Sequence, residues 1–449
     1  MSWTQVSSSR WERPVDGLEG YFVAMAAISA DLADGREHYT LFTKIKLETE
    51  LPNLESALRH AWKQLRYVQP QIAITAQDMK MVYEVPDETC LEKWLASTFV
   101  VSPASDAEEL YEAVAPIKQA TLYYLPNSSE LMLRCHHHSI DGTGLLLFWD
   151  AYLGALSRPV EDIAFGDEPA RLAPTMAKVL GFPDEAAPDV QKKVSQAFGE
   201  YAVNAPGIGP ISQLGAASSL RPRNCRNVEV VFSADETGTL VDACRARGVS
   251  VTAAVHAAYV QALATRHADP ASNLTKYVTV SLFNLRKYLP EPYGSSSYAM
   301  SVYYSPLPYT ADLPASYWDI ARPLHRHYQT SFKDNVPEAL KMRGPLGDAM
   351  LGAVRTPGFL DIPPSKDAMV SSLGVVEGHV RREYGGGSLR VRDVKVAVDI
   401  TAGTSMLFVY TFDDRLRLVY NFNDGFEERG DVERYLETVK EILDAELIT

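Results

Sequence analysis

Cys135-His136-His137-His138-Ser139-Ile140-Asp141-Gly142 holds two overlapping readings of one spacing, H-H-x-x-x-D-G and H-x-x-x-D-G, both ending at Gly142. Imidazole is the one side chain that takes up and returns a proton near neutral pH without a shifted pKa. An Asp four residues on, followed by Gly, predicts a fixed turn that aims the ring. Upstream, Ala120 to Leu125 reads as a strand, Pro126-Asn127-Ser128-Ser129 as a turn and Leu131 to Cys135 as a second strand. Downstream, Thr143-Gly144-Leu145-Leu146-Leu147-Phe148-Trp149 opens a buried helix running to about Leu156. The motif thus lies where a strand ends and a helix begins, a place from which side chains project into a cleft.

Outward from this stretch the chain alternates helices and strands. Asn53 to Tyr67 carries Leu54, Leu58, Ala61, Trp62 and Leu65 at a helical period. Thr89 to Phe99 and Ser105 to Ala113 read as short helices. From Pro169 to Pro222 the pattern turns irregular, with Pro206-Gly207-Ile208-Gly209-Pro210 and Gly215-Ala216-Ala217-Ser218-Ser219 as loop compositions. The second half opens with a strand over Asn227 to Ser233. A helix to Gly248 and a buried one over Ser250 to Arg266 follow, then a strand over Tyr277 to Phe283. Leu313 to Phe332 reads as one amphipathic helix that Pro323 kinks. Val391 to Ile400, Ser405 to Phe412 and Leu416 to Phe422 are strands, with Asp413-Asp414-Arg415 as a hairpin turn, and Asp431 to Glu446 closes as a helix.

At 449 residues the chain exceeds one ordinary core. The division expected is an N-terminal domain over 1–185 carrying the His motif, a crossover over 186–225 and a C-terminal domain over 226–449. A hydrophobic content of 46% with 22% charged residues is that of a soluble globular protein. The formal net charge of −14 argues against nucleic acid and against anionic membrane surfaces. It leaves room for an anionic ligand such as coenzyme A, since local patches decide binding. Cys90, Cys135, Cys225 and Cys244 are too scattered for a disulfide framework or a structural zinc site. Met1 to Pro14 is polar, without an apolar signal core, and no run is long enough to span a membrane. A reduced, cytoplasmic monomer is expected, with Trp3 and Trp11 packed on its body.

His136-His137 through Asp141-Gly142 resembles the active-site motif of the HHxxxDG acyltransferase superfamily. That group includes chloramphenicol acetyltransferase, the condensation domains of peptide synthetases and the BAHD enzymes. Fungal members of the trichothecene 15-O-acetyltransferase type are the most similar. Ser250-Val251-Thr252-Ala253-Ala254-Val255 resembles the start of the family's central helix in the second half. Asn284-Leu285-Arg286-Lys287-Tyr288-Leu289-Pro290 resembles its N/D-x-R segment, and Val370-Ser371-Ser372-Leu373-Gly374 its S-S/N-x-G segment. The D-F-G-W-G motif of plant BAHD enzymes is absent. Tyr384-Gly385-Gly386-Gly387 stands nearest in position, which weakens a plant-type reading.

The resemblance implies an α/β fold of two similar chloramphenicol-acetyltransferase-like domains, with mixed sheets, helices and an active-site channel between them. It implies direct acyl transfer with His137 as general base, since the family spacing counts back from Asp141. Strand alternation puts His136 and His138 on the opposite face from His137. Neutral imidazole removes the acceptor's proton, so activity is expected to fall on the acid side of an ordinary histidine pKa. Two roles are open for Asp141: orienting His137, or a structural role paired with an Arg. The resemblance favours the second, with Arg286 as partner. Gly142 lets backbone approach ligand. Ser371 and Ser372 are oxyanion candidates by family position, beside a rival backbone N–H near Gly142. His256 reads as a satisfied core histidine, and His325 and His327 as a solvated helix face. His137 and Asp141 lack a third metal ligand, and Gly385-Gly386-Gly387 lacks the context of a phosphate cradle, so no metal is expected.

The function that follows is acyl-CoA-dependent O-acylation, acetyl by default, of a hydroxylated secondary metabolite, with acyl-CoA as co-substrate and no bound cofactor. Two alternatives accompany it. One is a condensation-type enzyme that takes its acyl group from a carrier protein and forms an ester or amide. The other is a cyclase or binding protein that uses the cleft to shape a substrate.

Overall fold

A computed structural model of the protein describes residues 2–113, 115–183, 185–205, 207–209, 221–265, 275–359, 368–401 and 403–448. Pro206, Pro210 and Gly215 to Ser219, expected as loop, lie outside the described residues, as does Arg266, the expected end of a helix.

The hairpin before the motif forms from Thr121–Leu125 and Glu130–His136, paired antiparallel. It belongs to a six-stranded sheet in the order Glu383–Tyr384, Leu389–Val398, Thr40–Thr49, Glu130–His136, Thr121–Leu125 and Phe99–Val101. The first two of these strands come from the second half of the chain, beyond the division expected at 226. Leu389 to Val398 lies antiparallel to Thr40–Thr49 and covers an edge that would otherwise leave its backbone groups unpaired. Val391, Val394, Val396 and Val398 are buried in the same core as Leu41, Ile45 and Leu47. Just past the strand, Asp399 is held at 2.9 Å by both Arg36 and Arg134 of the first half.

A second sheet runs Ala368–Val375, Ser405–Phe412, Arg415–Asn423 and Cys225–Val231. Its first pair is parallel and the others antiparallel. Asp413 and Asp414 take left-handed φ of 54° and 58° in the hairpin turn. Helices Val251–Thr265 and Arg429–Leu443 pack on this sheet around a second core. Each of these two sheets is layered with helices, which makes two α/β units.

Three long helices escape the periodicity reading. Gly17–Leu32 is apolar on most sides, so no stripe marks it. Pro188–Asn204 interrupts the stretch read as irregular. Val336–Val354 contains Gly344, Pro345, Gly347 and Gly352, breakers that tertiary packing overrides. Two of these helices cross closely. A Cβ on Gly17 would lie 2.3 Å from Asp348 N, and one on Gly347 would lie 2.4 Å from Leu18 N. The helix expected over Leu313 to Phe332 is instead Tyr317–Arg326 followed by a π-helical turn, His327–Ser331. No helix among the described residues is long and apolar enough to cross a membrane. Trp3 donates its indole N–H to Ala173 O at 2.8 Å.

Candidate active site

Every residue of the strand Glu130–His136 is buried, so the chain reaches the motif inside the protein. The strand stops because Ser139 turns back on it. Its N–H donates to His136 O at 3.1 Å and its hydroxyl to the same oxygen at 2.9 Å. Helix Gly142–Ser157 then begins with Asp141 as N-cap, whose carboxylate accepts from Gly144 N–H at 2.8 Å. Residues 137 to 140 are therefore a short turn fixed at both ends.

The three histidines point into different surroundings. His136 and His138 stack on each other at 5.1 Å, and His136 Nδ1 lies 2.8 Å from Glu37. Both are buried, whereas His137 is partly exposed. The His137 ring lies flat on Phe22, with centroids 3.9 Å apart and planes 6° from parallel. Tyr39 meets it edge-on at 6.1 Å and Tyr304 at 5.8 Å. Burial pushes its pKa down to about 4, against the favourable charge of Asp141 and the nearby backbone of His137 and Ile140. Nδ1 makes no hydrogen bond of ordinary geometry among the described residues. The imidazole is thus neutral at neutral pH, and ring packing holds it.

Asp141 turns to the second half of the chain. Arg286 Nη1 donates to its two oxygens at 2.7 and 2.8 Å, and Tyr303 N–H donates to Oδ2 at 2.8 Å. Arg286 Nη2 also donates to Ser301 O at 3.1 Å. Asp141 and Arg286 are both buried, so this is a desolvated pair with its hydrogen bonds made. Asn284 fixes the start of the Arg segment by accepting from Arg286 N–H at 3.0 Å.

A second grip lies one residue out of phase. Arg343 pairs with Asp16, the N-cap of the helix that carries Phe22, and donates to Val302 O at 2.7 Å and Tyr304 O at 3.3 Å. Segment 301–304 is therefore held on alternate residues by Arg286 with Asp141 and by Arg343 with Asp16. Its last residue sets the Tyr304 ring beside His137.

The S-S-L-G segment also reaches the motif. A Cβ on Gly142 would lie 3.0 Å from Leu373 Cδ2. Ser371 is buried, and the Ser372 hydroxyl shares a 2.8 Å hydrogen bond with that of Thr252 at the start of helix Val251–Thr265. His379, just beyond, has its pKa lowered by burial and by the Arg286 charge. Sequence reasoning named neither Thr252 nor His379 as a site residue, nor Phe22, Tyr39, Tyr304, Asp16 and Arg343. No local pattern marks them. Gly144 was legible in principle, two residues after Gly142: a Cβ there would sit 2.5 Å from Ala299 O.

The remaining histidines are structural or lie elsewhere. His256 Nδ1 and Nε2 bond the Tyr328 and Tyr277 hydroxyls at 3.0 and 2.8 Å. The expected solvated face at His325 and His327 does not form. His325 accepts from Ser250 N–H at 3.0 Å, and the π-helical turn packs His327 between Tyr309 and Phe283. Among the described residues no cluster of three His, Cys, Asp or Glu is placed to hold a metal.

No protein-family model matches the chain. It is 28% identical over 467 residues to acetyltransferase pigO of Monascus ruber, across 100% of this chain and 98% of that protein. It is 27% identical over 455 residues to O-acetyltransferase pigM of the same organism, across 100% of this chain and 87% of that protein. The solved structure of trichothecene 15-O-acetyltransferase from Fusarium sporotrichioides matches with a TM-score of 0.82 at 18% identity, over 98% of this chain and 97% of that one. The chain thus shares the fold of that acetyltransferase, the chloramphenicol-acetyltransferase-like fold of two α/β units, and is similar along its whole length to two proteins named as acetyltransferases.

Proposed function

We propose that the protein transfers an acyl group, acetyl by default, from coenzyme A to a hydroxyl of a small secondary metabolite. The observation that carries this reading is the neutral, partly exposed imidazole of His137, locked in a turn and facing both halves of the chain. The names of the full-length relatives support the acetyl group, and two of the names specify oxygen as its destination.

In this reading His137 takes the proton of the acceptor hydroxyl as its oxygen attacks the thioester carbonyl. The new C–O bond forms, the C–S bond breaks, and the imidazolium returns the proton to the departing thiolate. The products are the ester and free coenzyme A, with no acyl-enzyme. A low pKa suits the first half of this cycle by keeping the base free of protons, at the cost of basicity. Asp141 and Arg286 hold the two halves together beside the base. Ser371, Ser372 or a backbone N–H near Gly142 would donate to the developing oxyanion.

Mass spectrometry of hydroxylated acceptors incubated with enzyme and acetyl-CoA tests the proposal. A gain of one acetyl group on an acceptor is the expected result. Turnover that appears only with a loaded carrier protein would favour the condensation-type alternative. Conversion without acyl gain would favour the pocket-shaping one.

A further inference from the structure

A general base ordinarily has its second ring nitrogen held by a partner, which fixes its tautomer and direction. Nδ1 of His137 has no such bond of ordinary geometry among the described residues. The rings around the imidazole fix its direction instead. Phe22 lies flat on one face at 3.9 Å, and Tyr304 packs at 5.8 Å with planes 43° apart. Whatever places these two rings therefore places the base.

Both rings trace back to one buried guanidinium. Arg343, on helix Val336–Val354, uses each of its three nitrogens on a different partner. Nη1 pairs with Asp16, Nη2 donates to Val302 O at 2.7 Å and Nε to Tyr304 O at 3.3 Å. Asp16 Oδ1 meanwhile accepts from Glu19 N–H at 2.9 Å, which caps the helix Gly17–Leu32. Phe22 stands about 9 Å along the axis from that cap. Glu19 is itself fixed by Arg13, whose two terminal nitrogens each donate to it at 2.7 Å. The close crossing at Gly17 and Gly347 lies one turn beyond Arg343 on the same helix face. The capped end of the Phe22 helix and the start of the Tyr304 strand are thus fixed to one point. Arg343 and Asp16 are both buried. A buried ion pair is weak evidence for stability, since apolar side chains of similar volume often serve as well. Apolar side chains could not donate to two strand carbonyls while gripping a helix cap. What the pair supplies is position.

We propose that Arg343, paired with Asp16, is a positioning residue for His137, setting the Phe22 and Tyr304 rings that aim the imidazole. The assignment rests on the acyl-transfer reading above, in which His137 is the base. Asp141 and Arg286 fix the backbone of the turn, and Arg343 and Asp16 fix the direction of its ring.

The test follows the imidazole itself, by NMR of protein labelled with ¹³C at histidine Cε1, the His137 resonance being assigned by its loss in His137→Ala. Burial keeps this ring neutral down to about 4, so in the wild type its resonance should hold still from about pH 8 to about pH 5. Its titratable neighbours are Asp141, His38, His138, Tyr39 and Tyr304, and of these Arg343 bonds Tyr304. Arg343→Lys keeps a cation beside Asp16, but one ammonium cannot reach the acceptors that three separate nitrogens reach. In this variant the His137 resonance should titrate inside that window, and kcat should fall by about tenfold or more. Asp16→Asn is the second variant. Its Oδ1 keeps the helix cap, and its amide turns a donor toward the guanidinium, so the same shift is expected. His256, on helix Val251–Thr265 in the other core and also held neutral by burial, is the control and should stay still in both variants. A still His137 resonance in either folded variant, or kcat within about twofold of wild type, overturns the proposal. So does a His256 resonance that moves along with it, which would mark general loosening. Absence of any acetylated product from the wild type would instead overturn the acyl-transfer reading, and the resonance shifts would still report whether Arg343 orients the ring.

Discussion

His137 is neutral over the range in which most enzymes work, because enclosure by Phe22, Tyr39 and Tyr304 pushes its pKa down to about 4. The sequence alone predicts an acid limb near the ordinary histidine value, and the aromatic enclosure moves that prediction. Only the neutral ring accepts a proton, so kcat/KM should stay level from neutral pH downward and fall as pH drops through about 4. A pH profile with its acid limb near 6.5 would show that the ring is solvated in the working enzyme. His138 provides the matched control, since it stacks on His136 away from the Phe22 face. His138→Ala should therefore leave kcat within a few fold of wild type. The strand end before His137 was legible from local composition and the family spacing singled the residue out, whereas strand alternation does not reach it, since the strand stops at His136. The chemistry of His137 was not legible, because Phe22 arrives from a helix 115 residues upstream and Tyr304 from a strand 167 residues downstream.

At the scale of elements, the strand-turn-helix around the motif could be read because its signals are local. A turn composition and an apolar run lie within about one supersecondary unit, whereas the capping role of Asp141 shows only in the structure. The Arg286 segment could be paired with Asp141 only through the family resemblance, since 145 residues separate them. Asp141→Ala leaves a buried guanidinium without its carboxylate, removes a helix cap and frees Tyr303 N–H. Loss of the ion pair alone should cost about 3–5 kcal/mol. Chemical denaturation of the variant checks this, and an unchanged midpoint would deny the pair a structural role. Gly144→Ala is the subtler change. Its Cβ would meet Ala299 O at 2.5 Å and Ile140 Cγ1 at 2.7 Å, so the helix start must shift away from the second half. A loss of about 1–3 kcal/mol is expected, with lowered kcat, because the same turn carries His137. The helices Gly17–Leu32 and Val336–Val354 were illegible for a physical reason. One lacks a polar face, and the other holds Gly and Pro in its interior that only the crossing at Gly17 and Gly347 explains.

Across the whole molecule, the two halves are interlocked rather than merely apposed. The strand Leu389–Val398 completes the first-half sheet, Asp399 is gripped by Arg36 and Arg134, and segment 301–304 is clamped twice. Chain length and the family resemblance foretold two α/β units, but not the exchanged strand, because pairing across 340 residues leaves no local trace. Buried neutral histidines give the assembly a pH signature. His38 and His256 are pushed down to about 3 and His137 to about 4 by burial. Unfolding returns each to about 6.5, so the unfolded chain binds more protons below that pH. Stability should be full above about 6.5 and decline as pH falls toward 4, read as a falling Tm across that window. A Tm that rises on acidification through this range would contradict the burial of these rings. The central claim, that His137 is the base of an acyl-CoA-dependent transfer, is tested most directly by the turnover of His137→Ala. Acetyl transfer from acetyl-CoA to an acceptor that the wild type acetylates is followed by mass spectrometry, with acetyl-CoA affinity and Tm measured alongside. A fall in kcat of about 10²–10⁴-fold, with donor affinity retained, is the expected result. Turnover near wild type in the folded variant would contradict it.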